Sequence, residues 1–293
     1  MGWIFFPVHT MSWPGTWEMR RQYSVYAIWT KSIPRDSGIY AMTAAAPYQK
    51  AQSAANTGFA LIRKKTEGEL YMESMDKTVK KAFIKYTKAH YPDEAGEIIQ
   101  RADELFPELY AKAPDIGGKE NLMSYNLDLM ILSASFYEAS DHRIDGPAIM
   151  EMAKEIFAKY RFVRHFINVN HKWQMKLIRK FMYSRYIPYA KLVDEKVANG
   201  EWGNTWRLKI NPRNTEEGVC FDLVGCPLAD YARDNGYMDL LPFLCATDHL
   251  IPELVHAKLI RTHTCALGSE SCDYWYIGDE SETAKAFAET EMV

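Results

Sequence analysis

The sequence predicts an α+β protein in which a helical N-terminal part packs on a small antiparallel β-sheet that carries two helices. Two observations favour this fold class. Over residues 67–200, apolar side chains recur every three to four positions, which is the period of an amphipathic helix. After Gly203, apolar and polar residues alternate in short runs between turn residues, as in half-buried strands. Helices and strands segregated along the chain are typical of an α+β architecture.

The helical part contains one segment that is apolar on every side and one that is unusually long. Residues 122–138 are mostly apolar, which predicts a buried central helix. Residues 162–199 are amphipathic and predict a long helix that bends near Pro188, because proline cannot donate the interior hydrogen bond. Further helices are predicted over residues 67–91, 98–110 and 148–160, with a Pro/Gly loop over residues 112–119.

The sequence of the C-terminal part predicts four strands and two helices. Gly236 follows the first of these helices, in the position where glycine commonly ends a helix. The strands are predicted over residues 205–210, 218–224, 258–265 and 272–277, and the helices over residues 227–235 and 240–256.

The first 41 residues differ from the rest of the chain. Half of the 8 tryptophans lie there, without a helical or alternating period that would order them. We interpret residues 1–41 as a poorly defined N-terminal extension, absent from the working protein or loosely packed on it. An aromatic arm that covers a neighbouring subunit is the alternative. Residues 42–293 are expected to form a single domain, helical over residues 67–200 and sheet-containing over residues 204–280.

Composition and charge limit the partners. The net charge of −3, with more acidic than basic residues, disfavours nucleic acid. The basic residues within 172–185 are interleaved with apolar ones, so we interpret them as the solvated face of a helix and not as a phosphate- or membrane-binding patch. No apolar run approaches the roughly 18 residues of a membrane span, and the N-terminus does not read as a signal peptide. We therefore expect a cytoplasmic protein that binds a small-molecule substrate but no nucleic acid or membrane, and we leave a homo-oligomer open.

All 5 cysteines fall between Cys220 and Cys272. Thiols confined to the last quarter of the chain indicate concentrated chemistry or a metal, since a disulfide framework would spread its crosslinks through the fold. No C-x-x-C pair exists, which argues against a zinc ribbon or a thioredoxin-like redox motif. An odd number of cysteines without a secretory signal points to a reducing compartment.

Five features follow one another in this part of the chain. They are the Cys226-Pro227 pair after a strand, a Cys-x-x-Asp from Cys245 to Asp248, a strand carrying Arg261, a turn at Gly268, and the run Cys272-Asp273-Tyr274. In this order they resemble the C-terminal signature of the L-2-amino-thiazoline-4-carboxylic acid hydrolase family, roughly over residues 70–280 and most strongly after residue 204. The final hairpin is similar, more distantly, to that of the 4-vinyl reductase ligand-binding domain.

The resemblance implies a cysteine-dependent hydrolase of carbon–nitrogen bonds other than peptide bonds, with no cofactor. The implied substrate is a small carboxylate-bearing heterocycle or cyclic amidine. The competing class is a small-molecule-binding sensor or carrier without catalysis, because a fold does not determine a function.

Cys226 has the strongest physical argument for a role in catalysis. It lies where a strand ends and a helix begins, and Pro227 suits the first helical position. Its sulfur should therefore face the unpaired N–H groups at the helix N-terminus, which stabilise a thiolate. A buried cysteine that serves only as a small apolar side chain is the alternative.

Cys245, Asp248 and His249 are spaced to share one face of a helix. Such a face could supply a base and its orienting partner, or two metal ligands, or it could simply pack in the core. Arg261 would bind a substrate carboxylate through its bidentate fork, unless it is an exposed strand residue.

Cys272 and Asp273 are consecutive on a strand and so point to opposite faces of the sheet. We expect Cys272 to line the cavity, with Asp273 capping the turn or holding Arg261. Cys220 and Cys265 are interpreted as packing residues.

Two mechanisms fit these residues. In the first, a Cys226 thiolate attacks the C=N carbon of the heterocycle, Asp248 or His249 relays protons, and water releases the product. In the second, Cys226, Cys245 and Cys272 are ligands of a metal that activates water. The first mechanism needs no metal and is the one we favour.

Overall fold

The protein has the predicted α+β architecture, with helices followed by a four-stranded antiparallel sheet. The computed structural model describes residues 77–287. The predicted extension over residues 1–41 lies outside the described residues, as does the start of the predicted first helix. Within residues 77–287, no helix combines the length and the apolar character that a bilayer crossing requires.

Helix α3 is the buried centre of the helical part, as predicted for residues 122–138. Met130, Ile131, Ala134 and Phe136 are fully buried there. Every residue from 129 to 136 is buried, so no side of the helix faces solvent over these two turns, as expected for a core helix. The helices of this part are α1 (Lys77–His90), α2 (Ala95–Tyr110), α3 (Ser124–Ala139), α4 (Gly146–Ala158) and α5 (Lys172–Ala198).

The long helix predicted over residues 162–199 begins later than expected. Arg161–His165 form a separate 3₁₀ turn, and α5 starts only at Lys172. The Asn168 side chain accepts from the amide of Asn170 at 2.9 Å, and the Asn170 side chain in turn donates to Asp279 at 2.8 Å. Asparagine side chains that bond to nearby backbone compete with a helix, which explains the interruption.

The sheet has strand order β1-β2-β4-β3, and every neighbouring pair is antiparallel. Its strands are β1 (Arg207–Ile210), β2 (Val219–Val224), β3 (Ala257–Ile260) and β4 (Ser271–Gly278). Because side chains alternate along a strand, the register divides the sheet into two faces. The inner face carries Phe221, Leu223, Leu259, Cys272 and Tyr274, and the outer face carries Cys220, Ile260, Trp275 and Ile277.

The helices of the C-terminal part only partly follow the prediction. Helix α6 (Pro227–Asn235) ends as expected at Gly236, which has a φ of 83°. The single helix predicted over residues 240–256 is instead α7 (Leu241–Ala246), a 3₁₀ turn (Thr247–His249) and α8 (Leu250–Glu253). Pro252 lacks the N–H that would bond back one helical turn, which accounts for the break. The chain then forms β3 and β4 and ends in the short helix α9 (Glu282–Ala286).

The strand predicted over residues 258–265 is shorter, because β3 stops at Ile260. The amides of Thr262 and His263 donate to the Asp273 carboxylate at 2.8 and 2.9 Å, so they leave the strand ladder. The chain then turns through a 3₁₀ segment, Cys265–Leu267. This turn brings Cys265 back to the start of β4, where its amide donates to Cys272.

Helices α3 and α6 lie side by side and run in the same direction. Just before α3, the Asn121 side chain donates to Thr205 at 2.9 Å, and the backbone of Thr205 lies beside Gly225, the residue that precedes the Cys226-Pro227 start of α6. At the other ends, the rings of Tyr137 and Tyr237 meet edge to face. The start of α6 is therefore held between α3 and the end of β2.

Candidate functional site

Cys226 occupies the N-cap position of α6, as the sequence predicts, with Pro227 at the start of the helix. The preceding Gly225 has a φ of 76°, and a Cβ there would lie 3.1 Å from Asn204 Oδ1. Glycine is favoured in that conformation and in that space. Gly225 therefore allows the chain to turn sharply and to place Cys226 at the helix N-terminus.

The Cys226 sulfur is placed where negative charge is favoured. Cys226 is only 9% exposed. The Cys265 thiol, which donates to the Cys226 sulfur, lowers the pKa of Cys226, and the amide of Ala229 adds to this effect against the opposing effect of burial. The local prediction of a thiolate-stabilising position thus agrees with the surroundings of this sulfur.

Three cysteines form one cluster, made of Cys226, Cys265 and Cys272. The Cys265 amide donates to Cys272 Sγ at 3.2 Å. The single Cys265 S–H proton is shared between Cys226 and Cys272, so it also lowers the pKa of Cys272 to about 6, while holding that proton raises the pKa of Cys265. Repulsion between Cys226 and Cys272 opposes two full charges in the cluster. The cluster therefore holds one negative charge readily and keeps a proton at Cys265.

The remaining two cysteines differ from the cluster. Cys245 is close enough to Cys226 and Cys272 for their charges to act on it, but burial raises the pKa of its thiol, so Cys245 stays protonated. Cys220 packs on the outer face with Trp275 and Ile277. The packing role expected for Cys220 agrees with this position, whereas Cys265 has polar contacts that the sequence interpretation did not include.

Arg261 and Asp248 form a buried ion pair. Arg261 Nη1 lies 2.8 Å from Asp248 Oδ2, and Arg261 Nη2 donates to the Cys245 carbonyl at 3.0 Å. The Tyr274 hydroxyl donates to the same Asp248 oxygen at 2.9 Å. Burial opposes the charge on Arg261, but Tyr274 and Asp248 raise its pKa. This network fixes the segment from Cys245 to Asp248 onto the inner face of the sheet.

The ion pair changes two of the predicted roles. Arg261 is not an exposed strand residue, and its guanidinium is directed to Asp248 and not into open space. Asp248, expected as a proton relay, is the partner of that guanidinium. His249 follows Asp248 and is half-buried in the 3₁₀ turn.

Asp273 points to the outer face, opposite to its neighbour Cys272, as the alternation predicts. It accepts from the amides of Thr262 and His263 and pairs with Arg213 at 2.9 Å. Burial opposes its ionisation, but the His263 and Thr262 amides outweigh this effect and lower the pKa of Asp273. Of the two roles expected for Asp273, the structure shows turn capping. The arginine that pairs with Asp273 is Arg213 and not Arg261.

The cysteines of the alternative metal site are not arranged as metal ligands. Within residues 77–287, no three His, Cys, Asp or Glu side chains are placed so that they could hold a metal ion. This includes the set Cys226, Cys245 and Cys272.

The structure adds aromatic residues that the sequence reasoning missed. The Tyr186 ring of α5 meets Phe221 edge to face, with 5.0 Å between ring centroids. Phe221 stacks on Tyr274 at 5.1 Å. The available sequence signal was the run of tyrosines three apart in α5, at positions 183, 186 and 189, which places them near one helix face.

Asp128 is a second residue that the sequence reasoning missed. It is half-buried in α3, and burial raises the pKa of its carboxyl group to about 7. A carboxyl group with such a pKa can exchange a proton near neutral pH. Its signal was an acidic residue in the interior of a mostly apolar helix.

Comparison with known proteins places the chain in a family. Residues 125–276 match the family model described as L-2-amino-thiazoline-4-carboxylic acid hydrolase. This range is slightly more than half of the 293 residues and contains Cys226, the Asp248–Arg261 pair and Cys272. No curated protein and no solved structure matches the chain. The protein belongs to the L-2-amino-thiazoline-4-carboxylic acid hydrolase family.

Proposed function

We propose that the protein is a cysteine-dependent hydrolase that cleaves a carbon–nitrogen bond in a small, carboxylate-bearing cyclic amidine of the thiazoline-carboxylate type. The observation that carries the proposal is the placement of the Cys226 sulfur between the Ala229 amide and the Cys265 thiol, both of which favour its thiolate. The family name supplies the substrate class. A thiolate is the nucleophilic form of cysteine, and an amidine carbon is an electrophile that it can attack.

The reaction divides into two steps. In the first, the Cys226 thiolate forms a bond to the amidine carbon, a proton passes to the departing nitrogen, and the carbon–nitrogen bond breaks. In the second, water adds to the same carbon, the carbon–sulfur bond breaks, and Cys226 leaves as a thiolate. No net oxidation or reduction occurs. His249 is the proton donor that we assign to the first step.

Arg261 and Asp248 act by positioning in this proposal. Their ion pair holds the segment that carries Cys245 against the inner face. The positive charge of Arg261 also helps to lower the pKa of Cys272. Because the Arg261 guanidinium is already bound to Asp248 and to the Cys245 carbonyl, other groups must bind the substrate carboxylate.

A binding module without catalysis is the second candidate. The observation that favours it is the low exposure of Cys226, because covalent chemistry requires a path from solvent to the sulfur. In that case the aromatic and sulfur groups on the inner face would line a pocket for a small molecule.

Turnover of L-2-amino-thiazoline-4-carboxylic acid and related cyclic amidines, followed by substrate loss and ammonia or thiol release, tests the proposal. Wild type should turn over at least one compound. Cys226→Ser should abolish turnover while leaving the fold intact, because serine nearly conserves the volume but is a poor nucleophile. Cys220→Ser is the matched control and should keep the wild-type rate, since Cys220 lies on the outer face.

Two results would redirect the proposal. Binding of a compound without turnover, unchanged in Cys226→Ser, would favour the binding module. A stoichiometric metal in the purified protein that is lost in Cys226→Ser would favour the metal-dependent mechanism.

A further inference from the structure

Helix α5 presents three tyrosines to the rest of the fold, and two of them have clear hydrogen-bonding roles. The Tyr183 hydroxyl donates to the Cys220 carbonyl at 3.0 Å and accepts from the Cys220 amide at 3.1 Å. The Tyr189 hydroxyl donates to the Asn121 side chain. These bonds anchor α5 to β2 and to the start of α3, one helical turn apart on either side of Tyr186.

Tyr186 is different from both. It is 5% exposed, and its hydroxyl makes no hydrogen bond within residues 77–287. A buried hydroxyl without a partner costs free energy, and such groups are rare in native proteins and call for an explanation. The neighbouring tyrosines show that this helix can satisfy its phenols, so the unsatisfied group at position 186 is a local feature.

The Tyr186 hydroxyl lies in the same region as the ion pair. Its ring packs against Phe221 on the inner face, and Phe221 stacks on Tyr274, which donates to Asp248. The charge of Asp248 is close enough to add to the effect of burial in raising the pKa of Tyr186. Cys272 lies two residues before Tyr274 on the same face of β4. The unused hydroxyl and the cysteine cluster therefore share one side of the sheet.

We infer that the Tyr186 hydroxyl is a substrate-binding group, which hydrogen-bonds the amidine edge of the bound heterocycle. An amidine presents a nitrogen lone pair beside N–H groups, and a phenol can accept and donate at once. The substrate then supplies the partner that Tyr186 lacks. This inference rests on the proposed function, since it takes its ligand class from there.

Tyr186→Phe, with Tyr189→Phe as the matched control, tests the inference. Tyr186→Phe removes a hydroxyl that no group within residues 77–287 hydrogen-bonds, so the thermal midpoint of the variant should equal or exceed that of wild type. With L-2-amino-thiazoline-4-carboxylic acid as the probe, its KM should rise about 3- to 10-fold, as expected for one hydrogen bond. Tyr189→Phe should do the opposite, lowering the thermal midpoint and leaving KM close to wild type.

Calorimetric titration of the same probe adds a readout that does not depend on turnover. In the Cys226→Ser background, adding Tyr186→Phe should weaken binding by the same factor.

Each other outcome overturns the inference. Wild-type KM and affinity in Tyr186→Phe would show that the hydroxyl does not contact the substrate. A lowered thermal midpoint in Tyr186→Phe would show that the hydroxyl is structural. If wild type neither binds nor converts the probe, the proposed function fails and the inference fails with it. If wild type does bind and convert the probe but Tyr186→Phe behaves like wild type, only the inference about Tyr186 fails.

Discussion

The guanidinium of Arg261 and the carboxylate of Asp248 lie 2.8 Å apart in surroundings that almost exclude solvent, since their side chains are 1% and 2% exposed. Such a pair is stabilising only while both members are present, because each alone would be a buried charge without a partner. Arg261 reaches Asp248 across the gap between β3 and the turn after α7. The pair therefore links the strand to the helical segment beside Cys226.

Asp248→Asn should lower the free energy of unfolding by about 3–5 kcal/mol, because it leaves the Arg261 charge buried and uncompensated. Urea unfolding followed by circular dichroism measures this change. Asp141→Asn is the control, because Asp141 pairs with Arg101 at 3.0 Å but the two side chains are 72% and 49% exposed. An exposed pair contributes about 1 kcal/mol or less. Equal losses in the two variants would contradict the assigned burial of the Asp248–Arg261 pair.

Cys265→Ala should raise the pKa of both Cys226 and Cys272, because it removes the thiol that donates to their sulfurs. Iodoacetamide labelling as a function of pH, with mass spectrometry to identify each site, measures the effect. In wild type, the labelling rate of Cys226 should fall less between pH ~8.5 and ~7 than that of an ordinary thiol. Cys245, whose thiol stays protonated, should label slowly at both pH values. An unchanged profile for Cys226 in Cys265→Ala would argue against the shared proton.

Asp128→Asn should stabilise the protein above pH ~7. Burial raises the pKa of Asp128 from 3.8 to about 7, so the folded state holds a proton that the unfolded chain releases between these values. Stability from this group is present below pH ~4 and is lost as the pH rises toward 7. Asparagine carries no charge, so the variant should be about 2 kcal/mol more stable at pH ~8, a value reduced from the full shift because Asp128 is partly exposed. The difference should shrink to nearly zero at pH ~4, and a constant difference at all pH values would contradict the assignment.

Gly225→Ala should reduce stability more than Gly200→Ala, although both glycines have positive φ angles, 76° and 71°. Alanine pays a conformational penalty of about 1–2 kcal/mol at either site. At position 225 the added Cβ would also meet a neighbour, Asn204 Oδ1, at 3.1 Å. At position 200 no atom of the part of the chain that the structure describes lies within 4 Å of the added Cβ. Because Gly225 sets the direction of the chain into Cys226, Gly225→Ala should also slow turnover. Thermal unfolding and substrate loss measure both effects, and equal behaviour of the two variants would refute this role.

Features that depend on neighbours along the chain could be predicted from the sequence. The N-cap position of Cys226 follows from a strand, a proline and an amphipathic helix in succession. The opposite faces of Cys272 and Asp273 follow from the two-residue period of a strand. The burial of α3 follows from its mostly apolar composition.

The sequence by itself therefore determined the α+β class, the order of elements and the helix-terminal position of Cys226, because these depend on local pattern and backbone geometry. Tertiary structure alone decided the pairing of Arg261 with Asp248, the contact of Cys265 with two other sulfurs, and the burial of the Tyr186 hydroxyl without a hydrogen-bond partner among residues 77–287. Each of these features involves residues from different elements. Each therefore depends on how the 3₁₀ turn after α7, the turn after β3 and helix α5 pack together on the sheet. A spacing pattern contains no information on such contacts, because the distance between two side chains on separate elements is set by packing of the whole core.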